Sequence, residues 1–383
     1  MKSRAAVLHG IGQKWSVEEI EIDPPKAGEV LVKTAYAGLC HSDEHMVTGD
    51  LVPPGEALEL MGIDSMFPII GGHEGAGTVV QVGEGVTSVA VGDHVSCSFI
   101  PSCGRCHYCA NGQTNLCDLG AFLMGGGMIT DGTFRHHSND GTDITTMCKL
   151  GTFSEYMCLA ESSVVKVDDD YPMSAVALVS CGVATGYGSS VNRAEVKAGD
   201  TVVVVGIGGI GANAVQGAKL AGASNVIAVD PLELKREKAQ EFGATHTAAS
   251  MDDAMPLVAE LSHGRMADAV ILTVGVLTGD LIAPAASLAG KGGTVVCTAI
   301  APMAQEDAKL NLFELAMYNK QVRGTIFGSG SPRSAIPELL RQYREGRLKL
   351  DELVTREYSL DEVNEGYEDM RLGKNIRGVI RFD

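Results

Sequence analysis

The sequence lacks any excess of positive charge. Its 30 lysine and arginine residues stand against 48 aspartate and glutamate residues, which gives a formal net charge of −18. Binding to a nucleic-acid backbone or to an anionic membrane requires a basic surface. Neither kind of partner is therefore expected, and the acidic balance favours solubility.

Long hydrophobic runs are also missing. The N-terminal stretch "MKSRAAVLHG" begins with basic residues but has no apolar core, so it does not predict a secretory signal. The longest weakly charged run, 202–229, is broken by many glycines and by Lys219 and does not predict a membrane span. With 383 residues, 45% hydrophobic and 20% charged, the composition predicts a soluble, cytoplasmic enzyme of two domains.

The pattern of apolar residues changes once along the chain. Short apolar segments such as "EVLVKTAYAG" and "GAGTVVQVG", separated by turn residues, predict an antiparallel, barrel-like domain over 1–182. Continuous β-branched runs such as "TVVVVG" then alternate with helical segments, which is typical of a doubly wound parallel sheet over 183–325. Residues 326–383 are predicted to return to the first domain. The fold class predicted is thus α/β with a β-rich partner domain.

A glycine-rich turn follows the first of these buried strands. "VVVVGIGGIG" has the G-x-G-x-x-G spacing, which allows a tight turn, close approach to a pyrophosphate and close helix–strand packing. Asp230 ends the next strand, 19 residues past Gly211, where a carboxylate accepts from ribose hydroxyls and repels a 2′-phosphate. NAD(H) is therefore predicted rather than NADP(H), although a glycine-rich turn in an unrelated sheet is the alternative. Lys235, five residues after Asp230, could reach the same ribose from the next helix, although a solvated helix charge is the alternative. The predicted cofactor-binding residues here are Gly206, Gly208, Gly209, Ile210, Gly211, Asp230 and Lys235.

Four of the ten cysteines crowd into one short segment. Cys103, Cys106, Cys109 and Cys117 form a C-x2-C-x2-C-x7-C string, which can close a tetrahedral sulfur shell around a structural zinc ion. An iron–sulfur cluster is the alternative occupant, although the usual cluster string has other spacings and a proline after its last cysteine. The segment therefore predicts a metal site that stabilises a loop and leaves no position for substrate.

A second set of metal-binding residue types is spread along the chain. Cys40 opens the polar run "CHSDEH", His73 and Glu74 lie between glycines in "GGHEGAG", and Cys181 lies in "SCGVATGYG". Two thiols and one imidazole with an open fourth position suit a catalytic zinc ion. Sequence spacing alone does not show that residues so far apart form one site.

These motifs, in this order, resemble those of zinc-dependent alcohol dehydrogenases of the medium-chain dehydrogenase/reductase superfamily, and the resemblance covers essentially the whole chain. It implies that Cys40, His73 and Cys181 hold the catalytic zinc, with Glu74 beside it. It further implies a GroES-like catalytic domain wrapped around an inserted Rossmann domain, with the active site in the cleft between them. One catalytic and one structural zinc per chain, with NAD(H), are the implied cofactors.

The same resemblance divides the roles within "CHSDEH". Ser42 is expected to bond the substrate oxygen, and His45, at the surface, to end a proton path that runs through the nicotinamide ribose. Asp43 is expected to orient the zinc-bound ring of His73. Glu44 has no assigned role and is expected to be solvated.

Two further residues match positions that contact the cofactor pyrophosphate. His41 stands where arginine is usual, so it is expected to make a weaker contact. Arg377, in "GKNIRGVIRF", matches a second phosphate-contacting arginine. His136 and His137, in a polar loop, are expected to be exposed and to bind no metal.

Two long segments resemble those of the nicotinoprotein subgroup. Enzymes of this subgroup retain NAD(H) and pass electrons to N,N-dimethyl-nitrosoaniline or to a redox carrier such as mycofactocin. One is the segment 51–66, whose Met61 and Met66 suit an adaptable apolar wall, and the other is the long loop 117–135. An ordinary NAD-exchanging alcohol dehydrogenase, a thiol-dependent formaldehyde dehydrogenase and a non-catalytic zinc/NADH-binding protein are the alternatives. A small alcohol or aldehyde substrate and a homo-oligomer, dimer or tetramer, are expected.

Overall fold

The computed structural model of the chain describes residues 1–60, 62–123 and 125–383. The chain folds into two compact units. The first comprises Met1–Cys181, Ser331–Glu345 and Leu350–Asp383, and the second comprises Gly182–Gly330 and Gly346–Lys349. Met61, one of the two methionines of 51–66 expected to suit an adaptable apolar wall, lies outside the described residues, whereas Met66 is buried.

The first unit is rich in strands. Before the chain enters the second unit, its strands are β1 (Lys2–Leu8), β2 (Ser16–Ile22), β3 (Glu29–Gly38), β4 (Ile69–Ile70), β5 (Gly75–Val82), β6 (His94–Cys97), β7 (His136–Ser138), β8 (Thr145–Thr146), β9 (Tyr156–Ala160) and β10 (Val164–Lys166). Its helices over the same stretch are α1 (His41–Thr48), α2 (Gly55–Leu60), α3 (His107–Ala110) and α4 (Met173–Leu178). Short 3-10 turns lie at Thr114–Leu116, Asp118–Phe122, Met147–Lys149 and Glu161–Ser163.

The second unit alternates strands and helices. Its strands are β11 (Thr201–Val205), β12 (Asn225–Val229), β13 (His246–Ala248), β14 (Ala267–Leu272), β15 (Ala289–Cys297) and β16 (Gln321–Gly324). Its helices are α5 (Gly182–Gly188), α6 (Gly209–Leu220), α7 (Glu233–Glu241), α8 (Met251–Leu261), α9 (Ile282–Leu288) and α10 (Leu312–Met317), with a π turn at Ser189–Arg193 and 3-10 turns at Gly279–Leu281 and Phe327–Ser329. The six strands form one parallel sheet in the order β13-β12-β11-β14-β15-β16. All five residues of β11 are buried, as expected for a strand that is covered on both faces.

The rest of the first unit follows the second in sequence. It contains α11 (Pro332–Arg344), α12 (Val363–Arg371), β17 (Val354–Tyr358) and β18 (Arg377–Arg381), with 3-10 turns at Asp351–Leu353 and Leu360–Glu362. One sheet has the order β7-β2-β1-β4-β8, and the other has the order β10-β6-β5-β3-β18-β17, with β9 also on β3.

Strand β3 organises the larger sheet of the first unit. Two register shifts against β5 mark bulges, which bend a strand. One edge of β3 pairs with β5, while the other edge pairs first with β9 and then with β18. Because β3 ends at Gly38, the next residues of the chain leave the sheet directly beside β5 and β18.

The predicted α/β class with an antiparallel and a parallel part agrees with this architecture. The prediction that all of 326–383 returns to the first unit is wrong at two places, since 326–330 and 346–349 group with the second unit. A backbone group in each segment bonds to the second unit: Gly328 O accepts a hydrogen bond from the Asn192 amide at 3.0 Å, and Lys349 N donates to Gln216 Oε1 at 2.8 Å.

In the part of the chain that the structure describes, no helix combines the length and apolar character needed to cross a membrane.

Candidate active site

One buried cluster brings together residues from three distant segments. A ligand atom from each of Cys40, His73, Glu74 and Cys181 lies within 4.8 Å of every other, and all four residues are buried. Cys40 is the extended N-cap residue of α1, directly after β3, and the histidine and glutamate occupy the link between β4 and β5. Cys181 follows α4 by three residues. The fold thus places the three predicted ligands and the carboxylate predicted to lie beside them at one point.

Glycines make the tight approach of the β4–β5 link possible. Gly72 has a φ of +86, and a Cβ atom there would lie 2.3 Å from Thr152 Oγ1. A Cβ atom on Gly71 would lie 2.6 Å from the Trp15 ring. Side chains at these positions would push the link away from the residues behind it, so the glycines of "GGHEGAG" are required for the position of His73.

Asp43 fixes the orientation of the His73 ring. Its Oδ1 accepts hydrogen bonds from Gly72 N at 2.9 Å and from His73 Nδ1 at 3.2 Å, in a fully buried setting. With Nδ1 donating to this carboxylate, Nε2 is the ring nitrogen left for a metal ion. The family resemblance implies an orienting role for Asp43, and these contacts are the ones that such a role requires.

The two thiols of the cluster differ in acidity. The pKa of Cys40 lies well below its usual value because the Cys181 thiol donates to it, an effect that burial opposes and His73 reinforces. The pKa of Cys181 is correspondingly raised by that hydrogen bond and by burial. Two sulfurs and an imidazole are the donor set of catalytic zinc, and Glu74 Oε1 is a buried oxygen with no hydrogen-bond partner among the described residues. The cluster therefore fits a zinc ion.

Glu74 and Arg377 form a buried ion pair through Oε2 and Nη2. Burial raises the pKa of Glu74 to about 7, although the nearby guanidinium opposes this. Arg377 opens β18, and Val379 two residues on pairs with Gly38 of β3, which brings the arginine beside the metal-binding residues. The sequence indicated only a phosphate contact for Arg377, and its pairing with Glu74 was missed because the two residues are 303 positions apart.

The run "CHSDEH" forms the start of α1. The Cys40 thiol donates to Ser42 Oγ at 3.7 Å, so this hydroxyl lies against a predicted zinc ligand. His41 is exposed, and its ring centroid is 5.6 Å from that of His45.

Two expectations for this run are wrong. His45 is buried rather than at the surface, because the chain after α1 folds back over it and its Nδ1 lies 3.1 Å from Asp50 Oδ2. Glu44 is also buried rather than solvated, because Arg371 of α12 reaches it with Nε at 2.6 Å and Nη2 at 3.2 Å. Neither partner could be found from the sequence pattern of the run itself.

The four-cysteine segment folds into a compact lobe around α3. Sulfur atoms of all four cysteines lie within 4.8 Å of one another, and all ten cysteines of the chain are free of disulfides. Backbone N–H groups point at the sulfurs, with Cys106 N donating to Cys103 Sγ at 3.3 Å and Cys109 N to Cys106 Sγ at 3.4 Å. Although burial opposes it, such N–H donors lower the pKa of Cys103 to about 6. Four sulfurs so close together fit a single zinc ion, with zinc–sulfur bonds of about 2.3 Å.

The glycine-rich turn lies in the second unit, between β11 and α6. Gly206 has a φ of +91, and a Cβ atom on Gly211 would lie 1.9 Å from Gly206 O, so both positions require glycine. A Cβ atom on Gly208 would enter open space next to the first turn of α6. The N–H groups of that turn, at Gly209 and Ile210, and this open space fit a pyrophosphate.

The Asp230 carboxylate, just after β12, accepts hydrogen bonds both from the glycine-rich turn and from the turn that follows β12. Its Oδ2 accepts from Ile207 N at 2.8 Å and its Oδ1 from Leu232 N at 2.9 Å. Lys235 is buried on α7, and burial lowers its pKa while Asp230 opposes the shift. Arg236, which sequence reasoning missed, donates to the carbonyl oxygen of Asp230 at 2.7 Å. The sequence signal that could have identified Arg236 was a basic residue in the first turn of the helix that follows a strand ending in an acidic residue.

The His136 expectation is also wrong, although His137 is partly exposed as expected. His136 lies in β7, opposite Ile22 of β2, and is buried. Burial lowers its pKa to about 4. The polar residues around it in sequence concealed a short strand whose alternate positions face inward.

Comparisons with known proteins bear on this site. Residues 26–169 match the family model described as the alcohol dehydrogenase GroES-like domain, and residues 209–345 match the one described as zinc-binding dehydrogenase. The chain is 55% identical over 380 residues to the NDMA-dependent alcohol dehydrogenase of Amycolatopsis methanolica, with 99% of each chain covered. It is 48% identical to alcohol dehydrogenase B of Mycobacterium tuberculosis (strain ATCC 25618 / H37Rv), covering 100% of this chain and 99% of that protein.

A solved structure agrees with these relatives. The crystal structure of benzyl alcohol dehydrogenase from Acinetobacter calcoaceticus matches with a TM-score of 0.89 and 28% sequence identity, over 100% of both chains. The family models and this match confirm the predicted fold class, a GroES-like domain with a Rossmann-type domain.

Proposed function

The chain belongs to the zinc-binding alcohol dehydrogenases of the medium-chain dehydrogenase/reductase superfamily, and we propose that it oxidises small alcohols to aldehydes, reversibly, by hydride transfer to NAD. The observation that carries the proposal is the buried convergence of Cys40, His73 and Cys181 with Glu74 beside them. A thiolate-rich site with an oriented imidazole and a nearby carboxylate has the composition that this oxidation requires.

Cys40, His73 and Cys181 would hold the catalytic zinc, and the four cysteines of the lobe would hold a second, structural zinc. A zinc ion bound at the first site would supply Lewis-acid polarisation of the substrate oxygen. Asp43 keeps the His73 ring in place, and Glu74 lies close enough to approach the site with Oε1, for which the described part of the chain offers no hydrogen-bond partner. All four residues of the cluster are buried, which limits the access of water to it.

The hydroxyl of Ser42 would accept the proton of the alcohol, since it lies beside Cys40. His45 follows Ser42 by three residues on α1, so both side chains lie on one face of the helix. His45 would receive the proton at the end of the path, which the family resemblance implies would run through the nicotinamide ribose. This order of transfer removes one proton from the buried site for each hydride given to the cofactor.

The glycine-rich turn would hold the cofactor. The N–H groups of Gly209 and Ile210 at the start of α6 would bind the pyrophosphate, and the Asp230 carboxylate would bind the adenosine ribose. A carboxylate at this position repels a 2′-phosphate, which favours NAD(H). Lys235, His41 and Arg377 stay predicted as additional cofactor contacts.

The cofactor is proposed to stay bound and to be re-oxidised in place by an external electron acceptor. Support comes from the 55% identity to a relative named as NDMA-dependent and from the long loop 117–135 that resembles the nicotinoprotein subgroup. A small redox carrier would be the acceptor in the cell. Free exchange of NAD, as in ordinary alcohol dehydrogenases, is the second candidate.

Dinucleotide release tests the retained cofactor. Desalted protein is denatured, the supernatant is assayed for NAD(H), and alcohol-dependent reduction of N,N-dimethyl-nitrosoaniline is followed without added NAD. We expect about one dinucleotide per chain and turnover without added cofactor. An empty supernatant together with rapid turnover on added NAD⁺ would favour the exchanging enzyme instead.

Self-association is proposed through one edge of the second unit. Leu312, Phe313 and Met317 of α10 and Val322 of the edge strand β16 are all exposed. Large apolar side chains clustered at a sheet edge are typical of a protein–protein interface. We propose a homo-oligomer, dimer or tetramer, and expect Phe313→Glu to lower the mass found by sedimentation while a Leu60→Glu control leaves it unchanged.

A cytoplasmic location is proposed as well, because free cysteines persist in a reducing compartment.

A further inference from the structure

His45 is buried, which raises the question of how a proton taken up by its ring reaches water. Its side chain is only 3% exposed, whereas that of Asp50 is 28% exposed. The two are joined by the 3.1 Å contact between His45 Nδ1 and Asp50 Oδ2. Asp50 is therefore a partly solvated acidic group in direct contact with the proposed proton acceptor.

The end of α1 is built to bring Asp50 back to this ring. Gly49 adopts a φ of +88, which ends the helix in a left-handed turn. Leu51 N then donates to His45 O at 3.1 Å, so the chain folds back over the last turn. Thr48 Oγ1 donates to Asp50 Oδ2 at 2.6 Å and orients the carboxylate.

The charge state of Asp50 suits a partner of histidine. Hydrogen bonds from Thr48 and His45 lower the pKa of this carboxyl group, so Asp50 is ionised at neutral pH. Among the described residues of this helix, the other charged or titratable groups are His41, whose ring is near that of His45, Asp43, which is bonded to His73, and Glu44, which Arg371 neutralises. Asp50 is thus an anion in direct contact with the His45 ring.

We propose that Asp50 is a positioning residue for alcohol oxidation, which holds His45 with Nδ1 protonated and passes the Nδ1 proton on to water. This rests on the proposed function, since it concerns the proton removed from the alcohol. A proton arriving at Nε2 makes the ring an imidazolium cation. The Nδ1–H proton then transfers to the Asp50 carboxylate and from there to solvent, which leaves a neutral ring protonated at Nε2. One proton enters and one leaves, no electrons are involved, and proton exchange with water returns the ring to the Nδ1-protonated tautomer before the next turnover.

An alternative role for Asp50 is purely structural, as part of the turn after α1. The two roles differ in their dependence on pH. A structural residue alters stability and activity equally at every pH. A charged partner of a base alters the pH at which that base works, because the anion favours the protonated ring.

The test compares Asp50→Asn, Asp50→Glu and the control Glu44→Gln in the cofactor-loaded full-length enzyme. Alcohol turnover is measured over pH 5 to 9, with and without added imidazole. We expect Asp50→Asn to lower kcat about tenfold with little change in KM, and to move the acid limb of the profile to lower pH. Imidazole is expected to restore part of the rate, and Asp50→Glu to retain more of it than the amide. Glu44→Gln removes a charge from the same helix and is expected to leave the acid limb in place.

Histidine NMR gives a second readout that does not need turnover. The His45 signals, assigned with His45→Gln, are expected to show protonated Nδ1 in the parent enzyme and loss of this tautomer preference in Asp50→Asn. An unchanged tautomer in Asp50→Asn, or a uniform loss of activity without imidazole rescue, would overturn the proposal. Absence of alcohol turnover in the parent enzyme would contradict the proposed function alone, since the NMR comparison still decides whether Asp50 controls the ring.

Discussion

Replacing Asp43 by asparagine should weaken zinc at the catalytic site selectively. The carboxylate accepts from Gly72 N and His73 Nδ1 through Oδ1, and its Oδ2 also lies 3.2 Å from His73 Nδ1. An asparagine that keeps its oxygen at the Oδ1 position must place its NH2 group where Oδ2 was. Two N–H donors would then face each other in a buried setting, and the His73 ring would lose its neighbouring negative charge.

The size of the effect follows from these contacts. A buried donor without a partner costs about 1–3 kcal/mol. Loss of a carboxylate that orients a zinc-binding histidine typically weakens metal affinity by about 10–100-fold, which is about 1.4–2.8 kcal/mol at about 1.4 kcal/mol per tenfold. The two ranges overlap, so we expect a loss of about 10–100-fold for the Asp43→Asn variant.

Chelator competition measures this loss. Parent, Asp43→Asn and the control Glu44→Gln are dialysed against graded concentrations of a zinc chelator, and zinc per chain is determined by atomic emission. The variant should release one class of zinc at lower chelator concentration while the zinc of the cysteine lobe stays. Identical release curves for the variant and the parent would refute the idea that Asp43 supports the metal site.

Three further substitutions or conditions should have measurable effects. Asp230→Asn should raise the ratio of NADP to NAD binding, because a negative charge is removed beside Arg236, and fluorescence titration of both dinucleotides measures it. Between pH 6.5 and pH 4 the contribution of His136 to the free energy of unfolding should fall by about 3 kcal/mol, since the pKa of His136 is about 4 when folded and the unfolded state takes up the proton first. Urea denaturation of the parent and of His136→Gln over this pH range measures the contribution as the difference between their slopes. Glu29→Gln should lower the free energy of unfolding by about 3–5 kcal/mol, because Arg135 donates to both oxygens of that carboxylate, at 2.8 and 2.7 Å, in a buried pair. Chemical denaturation in which Glu29→Gln is as stable as the parent would contradict that estimate.

Local sequence patterns were sufficient to predict many of the elements. The apolar segment "EVLVKTAYAG" coincides with β3, and the β-branched run after Asp200 coincides with β11, because burial on both faces selects such residues. The helical segment expected after that β-branched run is α6, at Gly209–Leu220. Turn glycines such as Gly206 were predictable for the same reason, since a positive φ or a close approach leaves few alternatives.

Contacts between distant segments could not be predicted in this way. Cys40 and Cys181 are far apart in sequence, and no periodicity relates them, so only the resemblance to a known family joined them. Arg371 neutralises Glu44 from 327 residues away. Asp50 was overlooked although it is close in sequence, because its position depends on the left-handed turn at Gly49 rather than on a helical repeat.

Zinc content measured together with alcohol turnover in Cys40→Ser tests the central claim most directly. The parent protein should contain zinc at both cysteine-containing clusters, about two ions per chain, and should oxidise alcohol. Cys40→Ser should retain the zinc of the cysteine lobe and the parent circular dichroism spectrum, while losing the second zinc and alcohol turnover together. A Cys40→Ser protein that keeps oxidising alcohol at the parent rate would contradict the assignment of this cluster as the catalytic metal site.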